Sequence, residues 1–178
     1  MLEEVVEEET KSAIFSIGEG RGFVVEHGFV LTAAHCLPLV PESLVVNVPA
    51  HRAAYAHEKT VLIGGRVFAE VLFVDPVSDV AVIGRPDDEL NTRLWDHFMD
   101  DRPWLKFAKK PTSSVKLRYP DGWRYVELTP TSNSLIGECN SLGGMSGSPI
   151  LNRAGKVVGL VSTTGSHPRL PHCLPRWI

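Results

Sequence analysis

Residues 143–150 read GGMSGSPI, a serine preceded by two glycines and a methionine and followed by glycine, a second serine and proline. Turn chemistry accounts for such a run, because glycine permits positive φ and serine and proline favour bends. The same residues can serve a second purpose. Glycines at 143, 144 and 147 let the main chain come close to a ligand, and amide hydrogens around Ser146 are then free to face a developing negative charge. Which reading holds depends on whether the chain brings a base to that serine.

Upstream lies FVLTAAHCL, residues 29–37, in which a strand runs into small residues and then a histidine. Alone, a histidine at a strand end reads as structural or exposed. Asp79, in SDVAVI at residues 78–83, stands just before a four-residue apolar run, at the lip of a buried strand. A carboxylate there needs a hydrogen-bond donor to justify its burial, and an imidazole N–H is a suitable one. Asp75 is the rival position, but it precedes Pro76 and reads as a turn starter.

TAAHC, SDVAVI and GMSGSPI, in that order, resemble the His, Asp and Ser motifs of the trypsin/chymotrypsin-like serine proteases. The stretch SIGEGRGFVVEHGFVLTAAHC, residues 16–36, is similar in texture to the bacterial HtrA proteases, with a glycine-bounded strand, a tight hairpin and then the histidine. The resemblance runs over nearly the whole chain. It implies an all-β fold of two six-stranded-type antiparallel barrels with the site in the cleft between them, the second barrel being lean. It also implies a serine endopeptidase working through an acyl-enzyme, with His35, Asp79 and Ser146 as the triad. Backbone amides of Gly144 and Ser146 would form the oxyanion hole, and Asn140, Ser141, Ser162, Thr163 and Thr164 would line the substrate pocket. Two alternatives use the same cleft: a protease-like binding module, and an esterase or protease that acts once a protein partner completes it.

The chain departs from the family in places. Met145 stands where trypsin-like members carry the aspartate that receives a newly cut N-terminus, so activation by that ion pair is not expected. Cys36 has no cysteine near Gly20 to bond with, and is expected to be a buried thiol packing as a small hydrophobe. Ser148 is assigned a structural role. No acid stands at the pocket base, and Val161 replaces the histidine of glutamate-specific relatives, so a small or uncharged substrate side chain is expected. Trp177, near the end of the tail, is expected to cap the second barrel.

Composition agrees with a globular protein of this size. The chain has 178 residues, 43% hydrophobic and 22% charged, enough for one generous domain or two small barrels. A formal charge of -3 gives no basic stripe for nucleic acid. The start, MLEEVVEEETK, is acidic where a secretory signal is basic, and no apolar run approaches the roughly 20 residues of a membrane span, so no membrane partner is expected. With Met1 as the natural start, the chain is expected to be cytoplasmic. Cys36, Cys139 and Cys173 are an odd, widely spaced three, which points to reduced thiols. Adjacent pairs such as His35–Cys36 and His172–Cys173 lack the spacers of zinc knuckles, so neither metal nor cofactor is expected. The expected partner is a peptide or protein substrate.

Short alternating apolar runs bounded by Gly, Pro and Asp predict strands near Ala13–Ile17, Gly22–Val25, Phe29–Ala33, Ser43–Val48, Val61–Ile63, Val67–Val74 and Asp79–Ile83. These make a first barrel over residues 1–84. Residues 85–112 read as a connector with a short helix, and residues 113–178 as the second barrel of a single peptidase domain. In that half, VKLRY and WRYVEL flank a turn at Pro120–Gly122, and further strands fit Ser148–Leu151 and Val157–Thr163 around a turn at Asn152–Gly155. The acidic first dozen residues read as frayed or as an edge strand.

Overall fold

Period-two burial builds the first unit. In the computed structural model, which describes residues 2–37, 60–75, 78–109, 112–129, 134–136 and 144–162, the strands are β1 Ile14–Ile17, β2 Gly20–Val24, β3 Val30–Thr32, β4 Thr60–Ile63, β5 Val67–Asp75 and β6 Val80–Gly84. Along β5 the residues Val67, Ala69 and Val71 point inward while Phe68 and Leu72 point out, as a pleated strand requires. All pairings are antiparallel, and the order β1-β2-β3-β6-β5-β4 closes on itself through Ile17 opposite Ile63. The predicted strand at Ser43–Val48 lies outside the described residues.

Three strands of this barrel are buried on both faces. On β2, β3 and β6, Val24, Val30, Ala81 and Ile83 fill the barrel interior, whereas Phe23, Leu31, Val80 and Val82 face a second core. That second core is completed by Leu151, Val157 and Leu160 from the other half of the chain. Doubly apolar strands therefore mark the surface on which the two units meet, and each large side chain buried there contributes about 1.5–3 kcal/mol.

The other half is a five-stranded antiparallel sheet in the order β11-β10-β7-β8-β9. Its strands are β7 Ser114–Tyr119, β8 Gly122–Thr129, β9 Ser134–Ile136, β10 Pro149–Asn152 and β11 Val157–Leu160. The β7–β8 hairpin turns at Pro120–Asp121 as expected. Strand β9 was not read from the sequence. The fold is the chymotrypsin-like arrangement of two β units, nearly all-β, with a closed six-stranded barrel and a second sheet.

One segment departs from the sequence reading. Residues Leu2–Ser12 form a helix, α1, rather than a frayed end or an edge strand. Lys11 in its last turn complements the helix dipole. Glu7 reaches Lys116, a fully buried lysine on β7, at 3.5 Å, so a contact far along the chain fastens this segment. The connector holds a helix of 12 residues, α2 Glu89–Asp100. Asp88 caps it by accepting from the Asn91 amide at 2.9 Å, and Trp95 and Met99 enter the first barrel's core. Beyond α2 the chain stitches the units together, with Leu105 bridging to Val25 and Phe107 to Val157.

Candidate active site

His35 follows β3 on a single 3-10 turn, Ala34–Cys36, closed by the Leu37 amide on the Ala34 carbonyl at 3.1 Å. Ala33, Ala34 and Cys36 are buried around it, so the turn is anchored by small apolar neighbours while the histidine side chain remains 42% exposed. Asp79 stands one residue before β6, paired with β3 in the sheet. Its φ of 54° lies in the left-handed region, a conformation that aspartate tolerates better than most residues and that strains the backbone modestly. That twist, next to a strand buried on both faces, puts the carboxylate under the histidine.

The contacts are dense. Asp79 Oδ1 accepts from the His35 backbone amide at 3.0 Å, and both carboxylate oxygens lie against His35 Nδ1, at 3.0 and 2.9 Å. Ser162 Oγ donates to Oδ2 at 2.5 Å from just beyond β11. A carboxylate can only accept, so the ring nitrogen facing it is the protonated one, and Nε2 is left with a lone pair on the exposed side of the ring. Asp79 is 7% exposed. Its burial is thus matched by three donors, as a buried carboxylate requires. Asp75, the rival, accepts from the Ser78 amide at 3.0 Å, which is the behaviour of a turn residue.

Ser146 approaches from the other unit. Gly144 and Gly147 on either side have φ of 85° and 78°, conformations that glycine adopts without penalty. The Arg21 amide of β2 donates to the Ser146 carbonyl at 2.8 Å, and the Gly147 amide donates to the Val161 carbonyl at 2.7 Å. A side chain at 147 would fall on the Arg21 carbonyl, 2.6 Å from Thr32 Oγ1 and 3.0 Å from the Ala33 amide nitrogen. Position 147 therefore touches the end of the strand that carries His35. A side chain at Gly20 would likewise strike both Cys36 Sγ and the Ser146 carbonyl, so the serine loop and the histidine turn share one wall. Among the described residues no hydrogen bond joins the Ser146 hydroxyl to the His35 ring, and such contacts in resting sites are often longer than they become with substrate bound.

Within the loop the amides divide into two sets. Gly147 N and Ser148 N are used, the latter on the Met145 carbonyl at 3.0 Å. Among the described residues no acceptor takes the amide of Gly144 or Ser146. Met145, in place of an aspartate, is 1% exposed and packs with Val115, Leu117 and Ile150 in the core of the second sheet. An apolar anchor and main-chain bonds to β2 hold this loop.

Ser148 is fully buried, its amide, carbonyl and hydroxyl all engaged, the last with Arg21 Nη1 at 3.5 Å. Cys36 is buried, and burial pushes its thiol above the ordinary range. The side chain of Ser162, expected as a pocket residue, is turned onto Asp79. Val161 is 1% exposed in the same core as Met145. Asn140, Ser141, Thr163, Thr164 and Trp177 lie outside the described residues.

One residue of consequence was read with a different part, and one was missed. Ser162 acts as the second support of Asp79, and a lone serine in VSTTG gives no hint of a partner 83 residues away. Arg21 joins three elements, through its amide to Ser146, its carbonyl to Thr32 Oγ1 at 2.7 Å and its guanidinium to the Arg118 carbonyl at 2.6 Å. Its position among glycines in GEGRGF signalled a turn and nothing more.

No protein-family model matches the chain, and no curated relative matches it either. Solved structures do resemble it. A human pathogenic astrovirus serine protease shares 19% identity, covers 89% of each chain and has a TM-score of 0.51. The active form of the Rv3671c protease from M. tuberculosis shares 19% identity over 92% of this chain and 77% of that one, with a TM-score of 0.53. A serine endoprotease from Yersinia pestis shares 14% identity over 96% of this chain and 62% of that one, with a TM-score of 0.57. At such identities the likeness is one of fold.

Proposed function

We propose that this chain is a serine endopeptidase, with Ser146 as nucleophile, His35 as general base and acid, and Asp79 as the residue that orients the imidazole. The observation that carries the reading is the His35–Asp79 pair. A buried carboxylate held by Ser162 fixes the ring tautomer so that Nε2 is the free base on the exposed side. In the reaction Nε2 takes the Ser146 proton as Oγ adds to the substrate carbonyl. The resulting oxyanion is met by the amides of Gly144 and Ser146. Collapse expels the leaving amine, which receives the proton from the imidazolium, and an acyl-enzyme remains on Ser146. Water, deprotonated by the same nitrogen, then releases the acid. The likeness in fold to three serine proteases supports this assignment. The stretch from Ser16 to Cys36 favours a bacterial HtrA-like branch within that class.

A fluorophosphonate probe tests the reading, because it needs only an activated serine and an oxyanion site. Labelling is expected on Ser146 and is expected to vanish in Ser146→Ala. A folded wild-type protein that takes no label, alone or with added peptide substrate, would favour the binding-module alternative.

A further inference from the structure

Strand β7 carries a buried charge between two apolar residues. Val115, Leu117 and Tyr119 are buried in the second sheet's own core, in one cluster with Met145 and Ile150. Lys116 lies between the first two and points to the opposite face, as a pleated strand requires. Its side chain is 0% exposed. On that face the ammonium lies 5.2 Å from the centre of the Trp123 ring, which packs against the core between the units. Among the described residues one carboxylate stands within ion-pair distance, Glu7 Oε1 at 3.5 Å.

Glu7 belongs to α1, whose far end is fixed to the first barrel. Ala13, just past the helix, is fully buried in the core between the units, and its carbonyl accepts from the Val24 amide of β2 at 3.1 Å. Arg102 donates to the Ser12 carbonyl. Thr10 is buried, and Glu7, three residues earlier, shares its side of the helix, while Glu8 and Glu9 are exposed. The helix therefore spans the two units. One end is tied to the barrel by main-chain bonds, and its body meets the second sheet through an ion pair over a lysine shut off from water.

A buried ammonium is tolerated only while a partner meets it, and removing one member of such a pair leaves the other charge seeking water. Without Glu7, Lys116 reaches water only if α1 lifts or β7 shifts. Either movement loosens the strand at the point where Val115 and Leu117 pack with Met145, the residue next to Ser146. Resting on the reading of Ser146 as nucleophile, we propose that Glu7 and Lys116 are positioning residues. Helix α1 is a strap that holds β7 and, through Met145, the nucleophile loop, and the strap is required because residue 116 is charged.

The experiment compares the full chain with Glu7→Gln and with Glu7→Gln combined with Lys116→Met. Gln keeps the size of residue 7 without the charge, and Met fills the volume of the lysine without an ammonium. The maximal rate of fluorophosphonate labelling, measured in the folded protein, is expected to fall about tenfold in Glu7→Gln and to return to within about twofold of wild type in the double variant. Probe affinity should stay the same. Hydrogen exchange reads the strap without catalysis. The Gly147 and Ser148 amides, both bonded in the resting loop, should exchange faster in Glu7→Gln and regain protection in the double variant, while the amides of β3 stay as they were. Unchanged labelling and exchange in Glu7→Gln would overturn the proposal, as would a double variant as impaired as the single one. Should Glu7→Gln fail to fold, the double variant decides, since it folds and labels if the unpaired charge is the cause and fails otherwise. A wild type that takes no label defeats the catalytic reading alone, and the exchange comparison still decides the strap.

Discussion

The two halves of this molecule hold their parts of the site in different ways. His35 and Asp79 sit just beyond the ends of adjacent strands of a closed barrel whose 15-residue buried core includes two side chains from α2. Ser146 sits on a loop over a five-stranded sheet whose own buried core has seven members, one of them Met145. His35 and Asp79 are therefore fixed within one unit. Ser146 depends on ties across the interface, chiefly the Arg21 amide on its carbonyl and the contact of Gly147 with Thr32 and Ala33. The difference teaches that perturbing the first unit should alter the chemistry of the base, while perturbing the second should alter the placement of the serine.

The largest effect expected is at the support of the base. In Asp79→Asn the amide can present an N–H to the ring, so Nδ1 becomes the acceptor and the proton moves to Nε2, the nitrogen that must be free. Peptidase kcat/KM is expected to fall about 10⁴-fold while the folded structure persists. Activity measured beside circular dichroism checks this. A variant that stays folded and loses less than tenfold would break the assignment of Asp79 as the orienting residue.

That pair was legible before any coordinates because each member lies in a recognisable stretch, TAAHC and SDVAVI, and because a carboxylate at the edge of an apolar strand asks for a donor. The barrel was legible for the same local reason, since alternation in VFAEVLFV and IFSI repeats every second residue. What escaped was set by partners distant in sequence. Helix α1 looks like an unanchored acidic run until Glu7 meets Lys116, 109 residues on. Ser162 looks like a pocket wall until it meets Asp79. Strand β9 follows a stretch rich in polar and turn-forming residues, and pairing with β8 makes it a strand. Helix α2 did leave a local trace, Asp88 followed by apolar residues at 94, 95, 98 and 99. That trace agrees with the short helix read in the connector.

A matched pair of core truncations sharpens the contrast between the units. Ile83 and Ile150 are both 0% exposed, one in the closed barrel and one at the start of β10, four residues after the nucleophile. Ile83→Ala is expected to cost about 4 kcal/mol, because a closed barrel cannot collapse around the gap, and Ile150→Ala about 2–3 kcal/mol in the smaller core. The rate of fluorophosphonate labelling should move the opposite way, falling further in Ile150→Ala. Urea unfolding and labelling kinetics on the two variants decide it. Equal stability losses with equal labelling rates would show that the two halves support the site alike.

The smallest effect lies at the cap of α2 and separates the units by pH. Asp88 accepts hydrogen bonds from the Asn91 amide and side chain, which hold its carboxyl below the ordinary value. A carboxylate depressed in the folded state adds stability above its unfolded value, near 3.9, and loses it as the pH falls through the lower folded one. Asp88→Asn retains a capping oxygen but not the charge, so its melting temperature should lie slightly below wild type at neutral pH and converge with it on acidification toward about pH 3. Asp121, depressed by Arg124 on the β7–β8 turn, obeys the same sign in the second unit. Its neutral-pH gap in Asp121→Asn should be smaller, since an exposed ion pair on a hairpin orders less of the chain than the cap of a helix that seals a core. A gap at Asp88 that persists at low pH would mean that the amide fails as a cap, rather than that a charge is lost, and the barrel's dependence on α2 would then be one of geometry alone.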